Sequence, residues 1–244
     1  MRTLVIGDIH GGYRALLQVL ERANVTATDQ LIFLGDYVDG WSESPQVIDF
    51  LMELNQIQSC VFLRGNHDEL LLDYLEVNVE NIDENLWYKH GGKTTVVAYS
   101  TVSKEKKATH IAFLKQLKNY YLDEKNRLFV HAGFTNLQGV AFEYFPKLFY
   151  WDRTLWETAL ALDEKLEKTD LLYPNRLKIY SEIFIGHTPT TRIESMKPVQ
   201  KACVWNIDTG AAFKGKLTLM DVDTKAFWQS DLLPDLYPDE KGRN

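Results

Sequence analysis

Short apolar runs alternate along this chain with stretches of helical periodicity. RTLVIGD, from Arg2 to Asp8, reads as a strand, and YRALLQVLERA, from Tyr13, sets Leu16, Leu17, Leu20 and Ala23 on one helical face. The unit recurs. QLIFLGD precedes PQVIDFLMEL, whose Pro45 suits a first helical turn, and SCVFLRGNHD precedes a leucine-rich stretch from Leu70. Strand-helix units in series predict an α/β protein with a mixed sheet flanked by helices. From roughly residue 74 to 126 the text turns helical, charged and aromatic, which predicts a cap or side lobe rather than sheet. Strand patterns return at RLFVHAG, EIFIGHT, KACVWNIDTG and KLTLMDVD. A second helical insertion, roughly 146–180 and centred on Trp151 to Lys168, interrupts them.

Composition narrows this picture. With 244 residues and 45% hydrophobic content the chain can bury one large core, and no low-complexity linker divides it. A single domain over 1–244, carrying the two insertions, is expected. There is no charged start followed by an apolar signal core, and no apolar run of about eighteen residues, so a cytoplasmic protein without membrane association is expected. The formal charge of −7 argues against a chain that coats nucleic acid, but leaves room for a local positive pocket that takes a phosphate. Cys60 and Cys203 sit in apolar surroundings without metal-ligand spacing and read as buried free thiols. Oligomeric state has no signature in the chain.

The chemistry collects where strands end. Of six histidines, His10, His67, His131 and His187 follow a short apolar run and stand beside or close to a glycine, whereas His90 and His110 do not follow such a run. Asp8, Asp36, Asp39 and Asn66 occupy the same kind of exit. Open α/β sheets gather functional groups at the carboxyl ends of their strands, because the loops there splay into a crevice that the strands hold rigid. A single Asp-x-His after a strand is ordinarily turn chemistry. Five strand exits carrying oxygen and imidazole donors, in an order that converges them on one sheet edge, predict a metal site. Without thiolates the donors suit manganese, with iron or zinc as alternatives, and a carboxylate can bridge two cations.

At this point the sequence resembles the calcineurin-like metallophosphoesterases, and within them the phosphoprotein phosphatase branch, with its bacterial serine/threonine phosphatases and symmetrical diadenosine tetraphosphatases. The resemblance is carried by GDIHG (Gly7 to Gly11), GDYVD (Gly35 to Asp39), RGNHD (Arg64 to Asp68), VHAG (Val130 to Gly133) and IGHTP (Ile185 to Pro189), in that order. It implies a four-layer α/β/β/α sandwich with a helical cap and two divalent metal ions between the sheets. Carried over by motif, Asp8 and His10 would hold the first metal, Asp36 would bridge, and Asn66, His131 and His187 would hold the second. All six are among the residues that the strand exits single out. His67 then fits a general acid, with Asp39 on its other ring nitrogen holding it as a proton donor. That pairing gives the two carboxylates of GDYVD separate tasks.

The chain departs from the branch in two places. Arg-Gly usually follows the second acid of GDYVD, where the arginine grips phosphate, and here the text is Gly40-Trp41. A glutamate usually stands where this chain has Asp68. Arg64 and Arg153 are the candidate replacements for the phosphate-binding arginine, because a guanidinium matches phosphate oxygens in pairs. Trp41 is expected to pack beneath the cap or line the rim, with stacking on an aromatic part of a substrate as the alternative. HGGKTT at His90 and IDTGA at Ile207 receive no role. The expected activity is a metal-dependent phosphatase, a phosphoric monoester hydrolase of the serine/threonine phosphoprotein type using a metal-activated hydroxide. The alternative is a diadenosine polyphosphate hydrolase, and a phosphorylated protein or a small phosphate ester is the expected partner. A non-catalytic phosphate-binding module is the weakest reading, since every ligand is present.

Overall fold

The computed structural model describes residues 1–77 and 83–243. Its strands are β1 (Thr3–Ile6), β2 (Gln30–Phe33), β3 (Ser59–Phe62), β4 (Tyr120–Leu122), β5 (Arg127–Val130), β6 (Glu182–Ile185), β7 (Val199–Lys201), β8 (Val204–Asn206), β9 (Thr218–Asp221) and β10 (Phe227–Gln229). They form two five-stranded sheets, ordered β10-β9-β1-β2-β3 and β4-β5-β6-β8-β7. In each sheet the three consecutive strands β1-β2-β3 or β5-β6-β8 run parallel, and the remaining pairings are antiparallel.

The alternation of side chains along each strand explains why two sheets stack. Leu4, Ile6, Leu31, Phe33, Phe62 and Leu219 point to one side of the first sheet, against α1 (Tyr13–Arg22) and α2 (Ser44–Ile57). Val5, Ile32, Val61 and Met220 point the other way, and meet Phe129 and Phe184 of the second sheet in a shared core. Phe129 and Phe184 stack at 5.0 Å between centroids. The opposite face of the second sheet, with Leu128, Val130, Ile183 and Ile185, is covered by α7 (Leu148–Trp151) and α8 (Thr154–Ala161). Strands buried on both faces must be apolar at successive positions, which is why they read as unbroken runs. The layers are α/β/β/α, the sandwich expected.

Between β3 and β4 come α3 (Asn66–Leu75), α4 (Glu84–Trp87), a π-turn at Tyr88–Gly92, α5 (Lys93–Ser100) and α6 (Lys104–Lys115). Helices α4 to α6 fall within the 74–126 stretch, of which residues 78–82 lie outside the described residues. One correction applies: β4 falls inside that stretch and pairs antiparallel with β5 at the sheet edge. Its YYL is too short to show a period of two, so the strand is decided by the partner and not by its own pattern. β10 was not anticipated either, for the same reason. Cys203 is buried and Cys60 is half-buried; both are free.

Trp41 belongs to the core. It is 0% exposed, its Nε1 donates to the Ala211 carbonyl at 2.7 Å, and its ring stacks on Tyr237 at 5.1 Å. Packing is therefore its position, and the substrate-stacking alternative falls because the ring has no free face. Trp41→Ala is expected to cost about 3–5 kcal/mol of unfolding free energy, the range for a fully buried large aromatic. Chemical denaturation checks this, and a midpoint unchanged from wild type would contradict it.

Candidate functional site

All six parallel strands deliver acids or imidazoles from their carboxyl ends into the space between the sheets. β1 gives Asp8 and His10, β2 gives Asp36 and Asp39, and β3 gives Asn66 and His67. β5 gives His131, β6 gives His187 and β8 gives Asp208. Each of these side chains is buried. The chain turns so sharply there that His10, Asp36, Asp39 and His187 all take positive φ, between 52° and 70°. Such backbone is costly for residues other than glycine and is held only where the surroundings over-determine it. Gly186 shows how close the approach is: a Cβ at that position would lie 2.0 Å from Asp8 Oδ1.

Asp36 sits at the centre. Its Oδ2 is 3.4 Å from His10 Nε2 and 3.4 Å from His131 Nε2, and its Oδ1 accepts from the His67 backbone N–H at 3.0 Å. Asp8 Oδ2 accepts from His187 N at 2.9 Å and lies 3.9 Å from His10 Nε2. Asn66 Oδ1 lies 2.9 Å from His187 Nδ1 and 3.3 Å from His131 Nε2. Two overlapping triads result: His10, Asp36 and His67, and Asp36, His131 and His187, each with donor atoms within 4.8 Å of one another.

The surroundings prepare these groups for cations. His10 Nδ1 is engaged by the carbonyls of Val38 and Asp39, and His131 Nδ1 by that of Leu34, which leaves each Nε2 lone pair facing Asp36. Burial holds His10 and His187 well below the usual imidazole range, as neutral donors. Burial and Asp208 raise Asp8, and burial assisted by Asp36 raises Asp68 to about 8 and, with Asp36 again, Asp208 to about 6. Against its burial, His131 is pushed up to about 10 by Asp36 and Asp8. Against the same desolvation, His131, His67 and His10 hold Asp36 well below the carboxylate range. Buried acids crowded like this demand positive charge, and Asp8 Oδ1 and His187 Nε2 are buried with no hydrogen-bond partner. Oxygen and imidazole donors with unused lone pairs around one shared carboxylate fit a pair of divalent cations.

The sequence-predicted residues separate into those the fold gathers and one it does not. Asp8, His10, Asp36, Asp39, Asn66, His67, His131 and His187 come together. A cavity of about 260 Å³ opens beside them, lined by Asp36, Asn66, His67 and His187, by the aromatics Trp87 and Trp151, and by Arg153 among others. Arg153 lines it at the start of α8, where the preceding Asp152 accepts from Thr154 N, Thr154 Oγ1 and Leu155 N. Arg64 is not on the cavity lining: its guanidinium donates to Glu69 at 2.6 Å and to the Leu114 carbonyl at 3.3 Å.

Other parts of the site were not legible as such. Asp39 Oδ2 binds His67 Nδ1 at 2.6 Å and also accepts from Trp87 Nε1 at 2.5 Å, so an insertion residue fixes the second acid. The segment HGGKTT gains a role here. Thr95 Oγ1 accepts from Asp39 N at 3.0 Å, the Gly91 carbonyl from Gly40 N at 3.3 Å, and His90 lines the cavity. Asp68 accepts from the backbone N–H groups of Asp36, Tyr37 and Gly65, each at 2.8 Å, tying the β2 exit to the start of α3. Asp208 follows β8 with the same strand-Asp-turn-Gly grammar as the recognised motifs, which is the signal that could have found it.

This two-sheet fold, with its buried acid and imidazole cluster at the strand exits, defines a metal-dependent hydrolase of phosphate esters. The family model for calcineurin-like phosphoesterases matches residues 1–209, and the chain belongs to that family, whose members use a dinuclear divalent metal centre. Among curated relatives, the chain is 26% identical over 93% of its length to an asymmetrical bis(5'-nucleosyl)-tetraphosphatase, PrpE, of Oceanobacillus iheyensis, covering 91% of that protein. It is 29% identical, over 88% of each chain, to the PrpE of Anoxybacillus flavithermus. Among solved structures, a serine/threonine phosphatase from Saccharomyces cerevisiae, similar to human phosphatase PP5, superposes with a TM-score of 0.61. It is 15% identical, over 91% of this chain and 73% of that one, and shares the fold. Among the described residues no helix is long and apolar enough to cross a membrane.

Because Asp36 belongs to both triads, Asp36→Asn is expected to lower bound divalent metal more than His10→Asn or His187→Asn, each of which touches one triad. Elemental analysis of the purified variants decides. Two equivalents of metal retained by Asp36→Asn would show that its carboxylate is not shared.

Proposed function

We propose that this protein hydrolyses dinucleoside polyphosphates, cleaving a phosphoanhydride next to one nucleoside. The observation that carries the reading is the aromatic wall of the cavity. Trp151 is 44% exposed, lines the cavity two residues before Arg153, and has its ring 6.4 Å from that of His187. A free indole face suits a nucleobase. Asymmetrical cleavage, the reaction named for the PrpE relatives, breaks the anhydride bond that joins one nucleotide to the rest of the phosphate chain. One base then lies close to the reacting phosphates, and Trp151 on the cavity lining is the platform offered to it.

Asp8 and His10 would hold one cation, Asn66, His131 and His187 the other, with Asp36 between. Manganese is the proposed metal, and iron or zinc fit the same donors. When bound, two divalent cations lower the pKa of water and neutralise charge that develops on phosphate oxygens. The chain's own residues do the rest. Arg153 offers paired N–H donors to a phosphate oxygen. Asp39, itself fixed by Trp87, orients His67 through Nδ1 and leaves Nε2 for the leaving group on the cavity side. The buried floor and the insertion helices exclude bulk water from one side of the phosphate.

A second reading, a serine/threonine phosphoprotein phosphatase, is favoured by that same His67–Asp39 pair. An alkoxide needs a proton on leaving, whereas a nucleotide released from an anhydride is a weak base and needs little help. The two substrates therefore respond differently to one variant. His67→Gln is expected to slow an alkyl phosphate about 10²–10⁴-fold, the usual contribution of a general acid, and to slow diadenosine tetraphosphate far less. Equal losses on both, with metal retained, would remove the acid role.

Product analysis tests the main reading. Manganese-loaded protein incubated with diadenosine tetraphosphate is expected to release AMP and ATP in equal amounts, resolved by anion-exchange chromatography. Two equivalents of ADP would overturn the asymmetrical assignment. Turnover of a phosphopeptide with none of the dinucleotide would replace this reading by the second.

A further inference from the structure

The replacement of Arg-Gly by Gly40-Trp41 leaves the phosphate grip incomplete after Asp39, and Arg64 is committed to Glu69. The cavity wall nevertheless holds an arginine from a segment remote in sequence. Arg243, beyond α9 (Leu233–Leu236), lines the same cavity as Asp36, Asn66, His67 and Arg153. Its approach is fixed by close packing. Arg243 N donates to the Ala212 carbonyl at 2.8 Å. Gly242, at φ +63°, lies flat on Trp41: a Cβ there would stand 2.7 Å from Trp41 Cζ2 and 2.8 Å from the Ala212 carbonyl. Trp41 is braced underneath by Ala211 and Tyr237. A Cβ on Gly91 would stand 2.7 Å from Gly40 N and 2.8 Å from Arg243 Cγ. The arginine stem therefore lies beside Gly40, the residue directly after Asp39.

The guanidinium at the end of that stem is poorly matched by the protein. It sits 5.2 Å from the Phe213 ring centroid, one amino group donates to His90 Nδ1 at 3.2 Å, and the buried Nε has no partner. Among the described residues it forms no ion pair, and neither does Arg153. Its charge is felt instead at His10, His90, Asp208 and Arg153. Two part-buried guanidiniums that repel each other, on the wall of a cavity whose floor is built for cations, are reconciled by an anion between them.

We propose that Arg243 is a phosphate-binding residue of this enzyme, gripping the substrate's phosphate chain together with Arg153, and that Gly40-Trp41 forms the seat on which Gly242 and Arg243 rest. An arginine brought in from the 238–243 segment thereby takes the place of one that would otherwise follow Asp39. The proposal rests on reading the cavity as a phosphate-ester site, and not on which ester is cleaved.

The test uses the full manganese-loaded protein, with inorganic phosphate as the binding probe, read by calorimetry and as inhibition of p-nitrophenyl phosphate turnover. Arg243→Gln is expected to weaken phosphate about 10–100-fold, the range for a charged hydrogen bond. It should also lower kcat/KM about 10²–10³-fold on p-nitrophenyl phosphate and on diadenosine tetraphosphate alike, with metal content and thermal midpoint unchanged. Arg243→Lys should recover part of the loss, since the charge returns without the fork. Gly242→Val should reproduce the Arg243→Gln defect, and combining the two should add nothing. Wild-type phosphate affinity in Arg243→Gln overturns the proposal, as does a loss that tracks with lost metal. Should wild type be inert on the dinucleotide but active on p-nitrophenyl phosphate, weakened phosphate binding in Arg243→Gln upholds the phosphate contact while the dinucleotide reading alone falls.

Discussion

The arrangement depends on one carboxylate. Asp36 Oδ2 stands at equal distance from a histidine of the first sheet and a histidine of the second, so the sheets meet electrostatically where their parallel strands end. A buried carboxylate is tolerable only when opposite charge or hydrogen-bond donors surround it. His10, His131 and the His67 backbone N–H supply part of that, and Asp68 fixes the turn from which Asp36 projects. The positive φ values at the exits belong to the same constraint: regular backbone would carry the side chains past one another, and the two packed sheets hold the strained turns in place.

The helical insertion after β3 is part of this centre and not an appendage to it. Trp87 donates to Asp39, Thr95 accepts from the Asp39 backbone, and Gly91 accepts from Gly40. Asp39 Oδ2 thus takes Trp87 and His67 together, while Thr95 holds its backbone N–H. A histidine ring can be aimed to within hydrogen-bond tolerance only if its partner cannot move, and here the partner is held by groups from two separate elements. The insertion also lends the cavity Leu86 and Trp87, part of its apolar wall.

Charge is distributed with a purpose that the total conceals. A chain of net charge −7 concentrates Arg153, Arg243 and nearby Arg192 around one cavity, above the buried acids of the strand exits. On the proposed reading, cations belong with the carboxylates below and phosphate oxygens with the guanidiniums above. Low local polarity strengthens both attractions, so the same burial that makes the acids costly makes the site effective.

The sequence by itself determined an α/β protein and the acid, amide and imidazole residues at its strand exits, because both are written in local grammar, whereas two stacked sheets followed only from the resemblance that the five motifs carry. Apolar runs buried on both faces mark the central strands, and a turn rich in acid, amide or imidazole marks each exit; the eight gathered residues from Asp8 to His187 follow from that spacing. Short edge strands such as β4 and β10 were invisible, since three residues carry no period and their pairing is decided by a neighbour. Asp208 shares the exit grammar but lacked a contact to give it meaning. Which arginine meets the phosphate was a tertiary decision. Arg64 is adjacent to a motif, yet Glu69 turns it away, whereas Arg243 is remote in sequence and reaches the cavity because Gly242 fits against Trp41. A tryptophan in the place of an arginine reads as a loss along the chain, and only the packing around it shows what the indole carries.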